Sequence, residues 1–190
     1  MSAVTTKRFS RQEYHRLSEL GFFSPEERVE LIRGEIVKMA AKKTPHSVCS
    51  TSLIELLIIG LQGRAIVRSQ EPIVLSNDSE PEPDVTILRD RQDKYLSTHP
   101  HPKDVLLLVE ISETTLSYDR ETKLQLYAEH GISDYWIFNL VDRCLKLYSD
   151  PLPEVKNYRS RQVFFPGETV SLPGFSDIKV DLDRIFPPTL

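Results

Sequence analysis

The sequence predicts an α/β domain in which a mixed central sheet is flanked by helices and extended by β-hairpins. Segments with helical spacing of apolar residues alternate along the chain with short apolar runs typical of strands. The run from Val105 to Ile111 is interrupted only by Glu110 and resembles a central strand covered on both faces. A length of 190 residues suits one domain. We therefore expect a single domain over residues 1–190, with its core over about residues 10–180.

Composition and charge narrow the class of protein. Hydrophobic residues make up 39% and charged residues 27%, as in ordinary soluble proteins. The longest apolar run, at residues 56–61, is far shorter than the roughly 20 residues that cross a bilayer, so no membrane association is expected. Cys49 and Cys144 lie far apart, which favours free thiols in the cytoplasm over a disulfide. The net charge of -4 means that nucleic-acid binding would require a local basic patch.

The first third of the chain predicts two helices and a hairpin. Ser10 and Glu13 fit a capping box, which indicates a helix over residues 10–20. An Arg33-Gly34 turn between two short runs predicts a hairpin over residues 29–39. Thr44-Pro45 is typical of a helix start, and that helix continues to residue 61.

Strands predominate in the rest of the chain. A helix over residues 118–130, ended by Gly131, interrupts them. A meander with Pro-Gly turns closes the chain. The predicted strands are residues 65–67, 72–75, 84–88, 105–111, 134–141 and 144–148, followed by 163–165, 169–172 and 178–180 in the meander.

Glu110 is the residue that packing alone explains least well. An unpaired carboxylate at the end of a buried strand is costly, so Glu110 requires a cation or a proton. Asp84 opens another predicted strand directly after Pro83. If the two strands are neighbours, their carboxylates form an oxygen site suited to Mg²⁺ or Mn²⁺. The alternatives are a buried ion pair for Glu110 and a polar strand start for Asp84.

Basic residues near these acids suggest further contacts. Lys123 shares a helical stripe with Asp119 and Tyr127, and its alternative role is a surface ion pair with Asp119. Lys42 and Lys43 precede His46, which begins a helix and could contact a phosphate there. A solvated loop for the lysines and a cap or surface position for the histidine are the alternatives.

Two sequence patterns resemble a known nuclease family. Pro83-Asp84 followed by Val109-Glu110-Ile111-Ser112 resembles the PD-(D/E)xK signature of metal-dependent nucleases. The continuation through Ser117-Tyr118-Asp119-Arg120-Glu121-Thr122-Lys123 to Tyr135-Trp136-Ile137 closely resembles the bacterial Uma-type "putative restriction endonuclease" family, catalogued as a domain of unknown function. The resemblance covers about residues 10–180 and implies a restriction-endonuclease-like fold.

The resemblance also implies a function and a set of site residues. Asp84, Glu110 and the carbonyl of Ile111 would hold Mg²⁺ (or Mn²⁺), and Lys123 would supply the charge that Ser112 cannot. Glu30 is similar to an upstream acid that touches the water shell of the metal or a second ion, its alternative being a solvated hairpin acid. The implied protein is a homodimeric endonuclease that hydrolyses DNA. A second hypothesis, suggested by Ser112 and the acidic net charge, is an inactive module that binds nucleic acid or protein.

Three structural expectations follow from this reasoning. The carboxylates of Asp84 and Glu110 should lie within about 8 Å, close enough to share one ion. Trp136 should pack in the sheet and not stack on bases. Lys123 should lie on a helix surface, so that its removal would leave folding almost intact.

Overall fold

The central feature of the computed structural model, which describes residues 5–188, is a six-stranded mixed sheet. The helices are α1 (Arg11–Glu19), α2 (Thr44–Leu61), α3 and α4 (Leu182–Ile185). Helix α3 consists of three consecutive segments: the α-helical Leu116–Tyr118, a π-helical turn at Asp119–Lys123, and the α-helical Leu124–Glu129. Short 3-10 turns lie at Pro102–Asp104 and Pro153–Val155. The strands are β1 (Val29–Ile32), β2 (Glu35–Lys38), β3 (Ala65–Arg68), β4 (Val85–Arg89), β5 (Val105–Ser112), β6 (Asp134–Asn139), β7 (Cys144–Leu152), β8 (Asn157–Phe164), β9 (Thr169–Leu172) and β10 (Phe175–Asp181).

The strand order of the sheet confirms the predicted fold class. Strands β3 to β8 lie side by side in chain order, and every pair is antiparallel except β5 and β6. Because β5 and β6 are parallel, the chain must cross over between them, and α3 forms that crossover. Two antiparallel hairpins, β1–β2 and β9–β10, stand outside the sheet.

Each face of the sheet has its own apolar core. On one face, α2, the β9–β10 hairpin and α4 pack against alternate strand residues that include Trp136 and Phe138. On the other face, α3 packs against Tyr135 and Ile137. Trp136 is only 1% exposed, which confirms its predicted place in sheet packing. The alternation along β6 thus separates the two cores.

Helix α2 is apolar because it belongs to the first core. Cys49, Leu53, Leu57 and Leu61 form its buried face at a spacing of four residues. Its 18 residues would by length and composition alone also suit a membrane span, while Ile58 and Ile59 are exposed. The packing against the sheet accounts for the composition of the helix, as in a soluble protein.

The structure differs from the sequence predictions at residues 72–75, at Val163 and at α4. Residues 72–75 form no strand, because their amides bond to loop carbonyls: Ile73 N donates to Pro81 O at 3.0 Å and Val74 N to Pro100 O at 2.8 Å. Val163 belongs to β8, which joins the sheet beside β7 instead of the terminal hairpin. The short helix α4 was not predicted.

The pairing of β4 with β5 contains one irregularity. Val85 lies opposite Val109, Thr86 opposite Leu108 and Ile87 opposite Leu107, but Leu88 lies opposite Val105. The extra residue on β5 is therefore Leu106, which forms a β-bulge. The register is regular toward the end of β5 that carries Glu110.

Candidate active site

A pocket of about 280 Å³ lies at the carboxyl end of β5. Its walls come from β1, the segment before α2, the start of α2, the start of β4, the end of β5 and the first half of α3. The charged side chains that line it are Glu30, Lys38, Lys42, Lys43, Asp84, Glu110, Glu113, Asp119 and Lys123, together with His46. All of the site residues predicted from the sequence, including Ile111, line this one pocket.

The register of β4 and β5 brings Asp84 and Glu110 together. Since Val85 lies opposite Val109, one further step along both strands places Asp84 opposite Glu110. The amide of Ile111 donates a hydrogen bond to Asp84 Oδ2 at 2.9 Å, which fixes the carboxylate at this strand end. Directly opposed side chains on antiparallel strands have Cβ atoms about 4.5–5.5 Å apart, close enough for their carboxylates to share one ion.

His46 is buried against Asp84. It lies in the first turn of α2, and its Nε2 atom is 3.0 Å from Asp84 Oδ2. Burial raises the pKa of Asp84, but the His46 hydrogen bond and charge, with the Ile111 amide, hold it below its ordinary value. Asp84 is therefore a carboxylate at neutral pH, oriented by a histidine from a different layer of the fold.

Lys123 is buried between two acids, so the prediction of a surface lysine is wrong. Its Nζ atom lies 3.0 Å from Glu110 Oε1 and 3.1 Å from Glu30 Oε2, and the residue is 4% exposed. Helix α3 packs against the sheet, and its π-helical turn holds Lys123 on the sheet side. The same burial removes the basis for expecting that folding would be almost intact without Lys123, because its removal would leave two buried acids without their cation.

Asp119, the expected surface partner of Lys123, lies in a separate hydrogen-bond network. Its Oδ2 atom accepts from Ser112 Oγ at 2.7 Å and from Thr115 Oγ1 at 2.6 Å. Ser112 thus fixes the start of α3 instead of supplying a charge. Asp119 itself is buried, which raises its pKa against the opposing effects of Lys123 and the two hydroxyls.

Tyr127 completes the surroundings of Glu110. Its hydroxyl donates to Glu110 Oε1 at 2.9 Å, so this oxygen receives two donors, one from Tyr127 and one from Lys123. A role for Tyr127 was not predicted from the sequence. The signal was nevertheless available, because Tyr127 belongs to the same polar helical stripe as Asp119 and Lys123.

The buried side chains of the pocket include more acids than bases. Glu30, Asp84, Glu110 and Asp119 are all buried, while Lys123 is the buried lysine that faces them. Burial raises the pKa of Glu110 well above its ordinary value, and Lys123 only partly offsets this effect. Burial lowers the pKa of Lys123, but Glu110 and Glu30 raise it well above its ordinary value, so the ammonium stays charged. Four buried acids therefore face two buried bases, Lys123 and His46.

The donor set of the pocket fits a hard divalent cation. Within residues 5–188, no three side chains of the types His, Cys, Asp and Glu are grouped as a metal site. Asp84 and Glu110 provide two carboxylates, and each uses only one oxygen in the contacts described above. Mg²⁺ is commonly bound through one or two carboxylates while it keeps several waters. Two carboxylates and the Ile111 carbonyl therefore suit Mg²⁺ or Mn²⁺, with the remaining positions left to water and substrate.

The predicted basic patch forms one rim of the pocket. Lys42 is half-buried there, and burial and then the charge of Arg28 lower its pKa. Lys43 is exposed and its Nζ atom lies 3.2 Å from Glu113 Oε1. The phosphate contacts expected of Lys42, Lys43 and His46 stay predictions.

The chain resembles proteins that are described as putative nucleases. A family model described as "Putative restriction endonuclease" (Uma2) matches residues 11–183. A solved structure described as a "putative nuclease belonging to DUF820", from Anabaena variabilis ATCC 29413, aligns with a TM-score of 0.70 at 15% identity, over 94% of this chain and 97% of that chain. At that identity the likeness establishes a shared fold. No curated protein matches the chain.

Proposed function

Because the chain belongs to the Uma2 family, described as "Putative restriction endonuclease", we propose that it is a Mg²⁺-dependent endonuclease that hydrolyses DNA phosphodiester bonds. The observation that carries this proposal is the pair Asp84 and Glu110, buried side by side at a strand end with Lys123 in contact with Glu110. Paired carboxylates beside a fixed ammonium are suited to phosphoryl chemistry, in which negative charge must be held close to a cation.

Asp84, Glu110 and the Ile111 carbonyl would hold Mg²⁺ (or Mn²⁺). The bound ion would polarise the scissile phosphate and lower the pKa of a water molecule. His46 would keep Asp84 in place through its contact with Oδ2. Tyr127 would do the same for Glu110 through Oε1.

Lys123 would stabilise the negative charge that develops on the phosphate during the reaction. Glu30 contacts Lys123 as a second acid beside Glu110 and also accepts a hydrogen bond from the Glu82 amide at 3.2 Å. We therefore assign Glu30 the part of a positioning residue for Lys123. Lys42 and Lys43 at the rim would contact phosphates of the bound strand, where each neutralised phosphate releases counterions.

A second candidate is a nucleic-acid or protein-binding module without cleavage. It is favoured by the ion pairs of Lys123, which engage its ammonium with two carboxylates and leave less of its charge for a substrate. The two candidates differ in one measurable respect, since only the first would cut DNA.

The test is a cleavage assay on single-stranded, duplex and branched DNA with Mg²⁺ or Mn²⁺. We expect cleavage by the parent protein and a loss of about 10²-fold or more in Asp84→Asn and Glu110→Gln. Glu80→Gln is the matched control, because it neutralises a carboxylate that is equally buried but does not line the pocket. Cleavage that survives both pocket substitutions would refute the proposal. Binding without cleavage would favour the second candidate.

The proposal also includes the cellular location and the oligomeric state of the protein. Cys49 and Cys144 are free and buried, which suits the reducing cytoplasm. A homodimer remains our expectation for the oligomeric state, and light scattering of the purified protein would test it.

A further inference from the structure

A second concave surface, a groove of about 400 Å³, lies between α3 and the edge of the sheet formed by β7 and β8. It shares no lining residue with the pocket at the end of β5. Arg120 and Leu124 of α3 line the groove, whereas Asp119 and Lys123 of the same helix line the pocket. Helix α3 is therefore the wall between the two.

The charged side chains of the groove are mostly cations. Arg120, Lys156 and Arg161 line it together with one acid, Glu121. Lys156 is paired with Glu129, since its Nζ atom lies 2.9 Å from Glu129 Oε1. Arg120 and Arg161 are both exposed, and neither forms an ion pair within residues 5–188. In a chain whose net charge is -4, unpaired arginines on one surface indicate a site for an anionic partner.

Lys146 extends this positive charge from the groove toward the pocket. It is buried on β7 and forms no ion pair within the part of the chain that the structure describes. Tyr148 lies opposite Arg161 of β8, and Lys146, two residues before Tyr148, shares its face of the sheet. Burial raises the pKa of the Cys144 thiol, and the charges of Lys146 and Arg120 both oppose this rise. Arg120 of α3 therefore lies close to the same part of β7.

The strands of the sheet set the distance from the pocket to these cations. Glu110 lies beside Ile137 of β6, and Ile137 lies beside Lys146 of β7. Because neighbouring strands are about 4.8 Å apart, Lys146 is about 10 Å from Glu110 across the sheet, and the strand of Arg161 is about 14 Å away. Each nucleotide of duplex DNA advances about 3.4 Å along the axis. A strand bound at the pocket would reach the groove within about four nucleotides.

We propose that Arg120 and Arg161 bind phosphates of the nucleic acid about four nucleotides from the phosphate held in the pocket. This inference rests on the proposed function and adds to it the course of the strand, which crosses the first turns of α3. The planar guanidinium group matches two phosphate oxygens at once. A phosphate backbone suits the groove better than an acidic protein segment, because Lys146 continues the cations toward a pocket that would itself hold a phosphate.

The double variant Arg120→Gln/Arg161→Gln is the direct test. Its matched control is Lys179→Gln/Arg184→Gln, which removes two cations beside α2 and α4, on the other face of the sheet. Each double variant lowers the net charge by two, so a change in net charge alone would affect both equally. All four side chains are exposed, so both proteins should keep the melting temperature of the parent.

DNA binding at increasing salt concentration measures the phosphate contacts. Fluorescence anisotropy of a labelled duplex, with Ca²⁺ in place of Mg²⁺ to keep the duplex uncut, gives the affinity at each concentration. Each phosphate contact contributes about 0.9 to the slope of log affinity against log salt. The groove variant should lower this slope by about 2 and the affinity at about 0.1 M salt by roughly 10- to 100-fold. The control variant should match the parent.

Glu121→Gln gives a test of opposite sign. The substitution removes the acid that lines the groove, so it should raise the affinity for the duplex by about twofold. A lower affinity in this variant would contradict a phosphate in the groove.

The outcomes distinguish this inference from the proposed function. If the parent cleaves DNA and the groove variant keeps the parental slope and affinity, the inference is overturned and the proposed function stands. Equal losses in the two double variants would also overturn it, as would a groove variant that loses only self-association in light scattering. If the parent shows the expected salt slopes without cleaving DNA, the groove contact stands and the proposed cleavage fails. A parent protein that binds no DNA would refute both.

Discussion

The negative charge of buried acids is compensated differently at two places, around Glu80 beside α1 and in the pocket at the end of β5. Glu80 is 4% exposed and has a donor on each oxygen: Arg11 Nε at 2.8 Å and His15 Nε2 at 2.7 Å. In the pocket, Lys123 alone serves both Glu30 and Glu110. The Glu80 group has two donors for one acid, whereas the buried part of the pocket has two bases, Lys123 and His46, for four acids.

This difference distinguishes a structural ion pair from a binding site. Arg11 and His15 are partly exposed, so they pair with Glu80 while part of each stays in water. Such an arrangement joins α1 to the loop before β4 and needs no further ligand. The pocket encloses four acids, and burial raises the pKa of Glu110 and Asp119, so ionising all four is unfavourable until a cation enters. An unbalanced buried cluster therefore indicates a binding site more strongly than a buried acid alone.

The largest effect on stability should come from Lys123→Ala. The substitution leaves Glu30 and Glu110 buried without their cation, which commonly lowers the free energy of unfolding by about 3–5 kcal/mol. Urea denaturation measures this loss. Lys43→Ala removes an exposed ion pair at the pocket rim and should cost at most about 1 kcal/mol. Equal losses in the two variants would mean that the pocket charges are no more coupled than surface charges.

Mg²⁺ should stabilise the protein through the pocket alone. At a free ion concentration 100 times its Kd, one site adds about 2.7 kcal/mol. For a chain of this size that gain raises the melting temperature by about 5–10 °C. Thermal denaturation with and without Mg²⁺ measures the rise. Asp84→Asn and Glu110→Gln should abolish it, whereas Glu80→Gln should retain it. A rise that persists in both pocket variants would place the ion elsewhere.

Glu80→Gln should cost less than Lys123→Ala, about 1–2 kcal/mol, because it weakens hydrogen bonds to charged partners without leaving a charge enclosed. Arg11 and His15 are partly exposed and can turn to water once the carboxylate is lost. The same urea denaturation series provides the measurement. A loss as large as that of Lys123→Ala would show that both groups are equally enclosed and would remove the distinction between them.

Tyr127→Phe should have the smallest effect, about 1 kcal/mol, which is the usual contribution of one buried hydrogen bond. The ring stays in the core and only the bond to Glu110 Oε1 is lost. Denaturation of this variant beside Tyr158→Phe isolates the bond, since the Tyr158 hydroxyl makes none within the described residues. Identical stabilities of the two variants would mean that Tyr127 does not support Glu110.

The parts of the site that follow from local sequence patterns were predictable. Glu110 stands out because an acid ends an apolar run, and Asp84 because an acid opens a strand after proline. The burial of Lys123 was not predictable, since the stripe formed with Asp119 fits an exposed helix equally well. Its partner Glu30 lies 93 residues earlier, and no local pattern connects the two. Residues 72–75 show the same limit, because their apolar, strand-like composition reflects packing beneath loops and not sheet pairing.

The β-bulge at Leu106 divides the β4–β5 ladder into two segments with different tolerance to changes in chain length. One added or deleted residue in a regular ladder would turn every following side chain to the other face. The bulge lies between the pocket and the connection over residues 90–104. A change in the length of this connection can therefore be absorbed by forming, moving or removing the bulge. A change in the length of that connection can therefore leave Asp84 and Glu110 opposite each other.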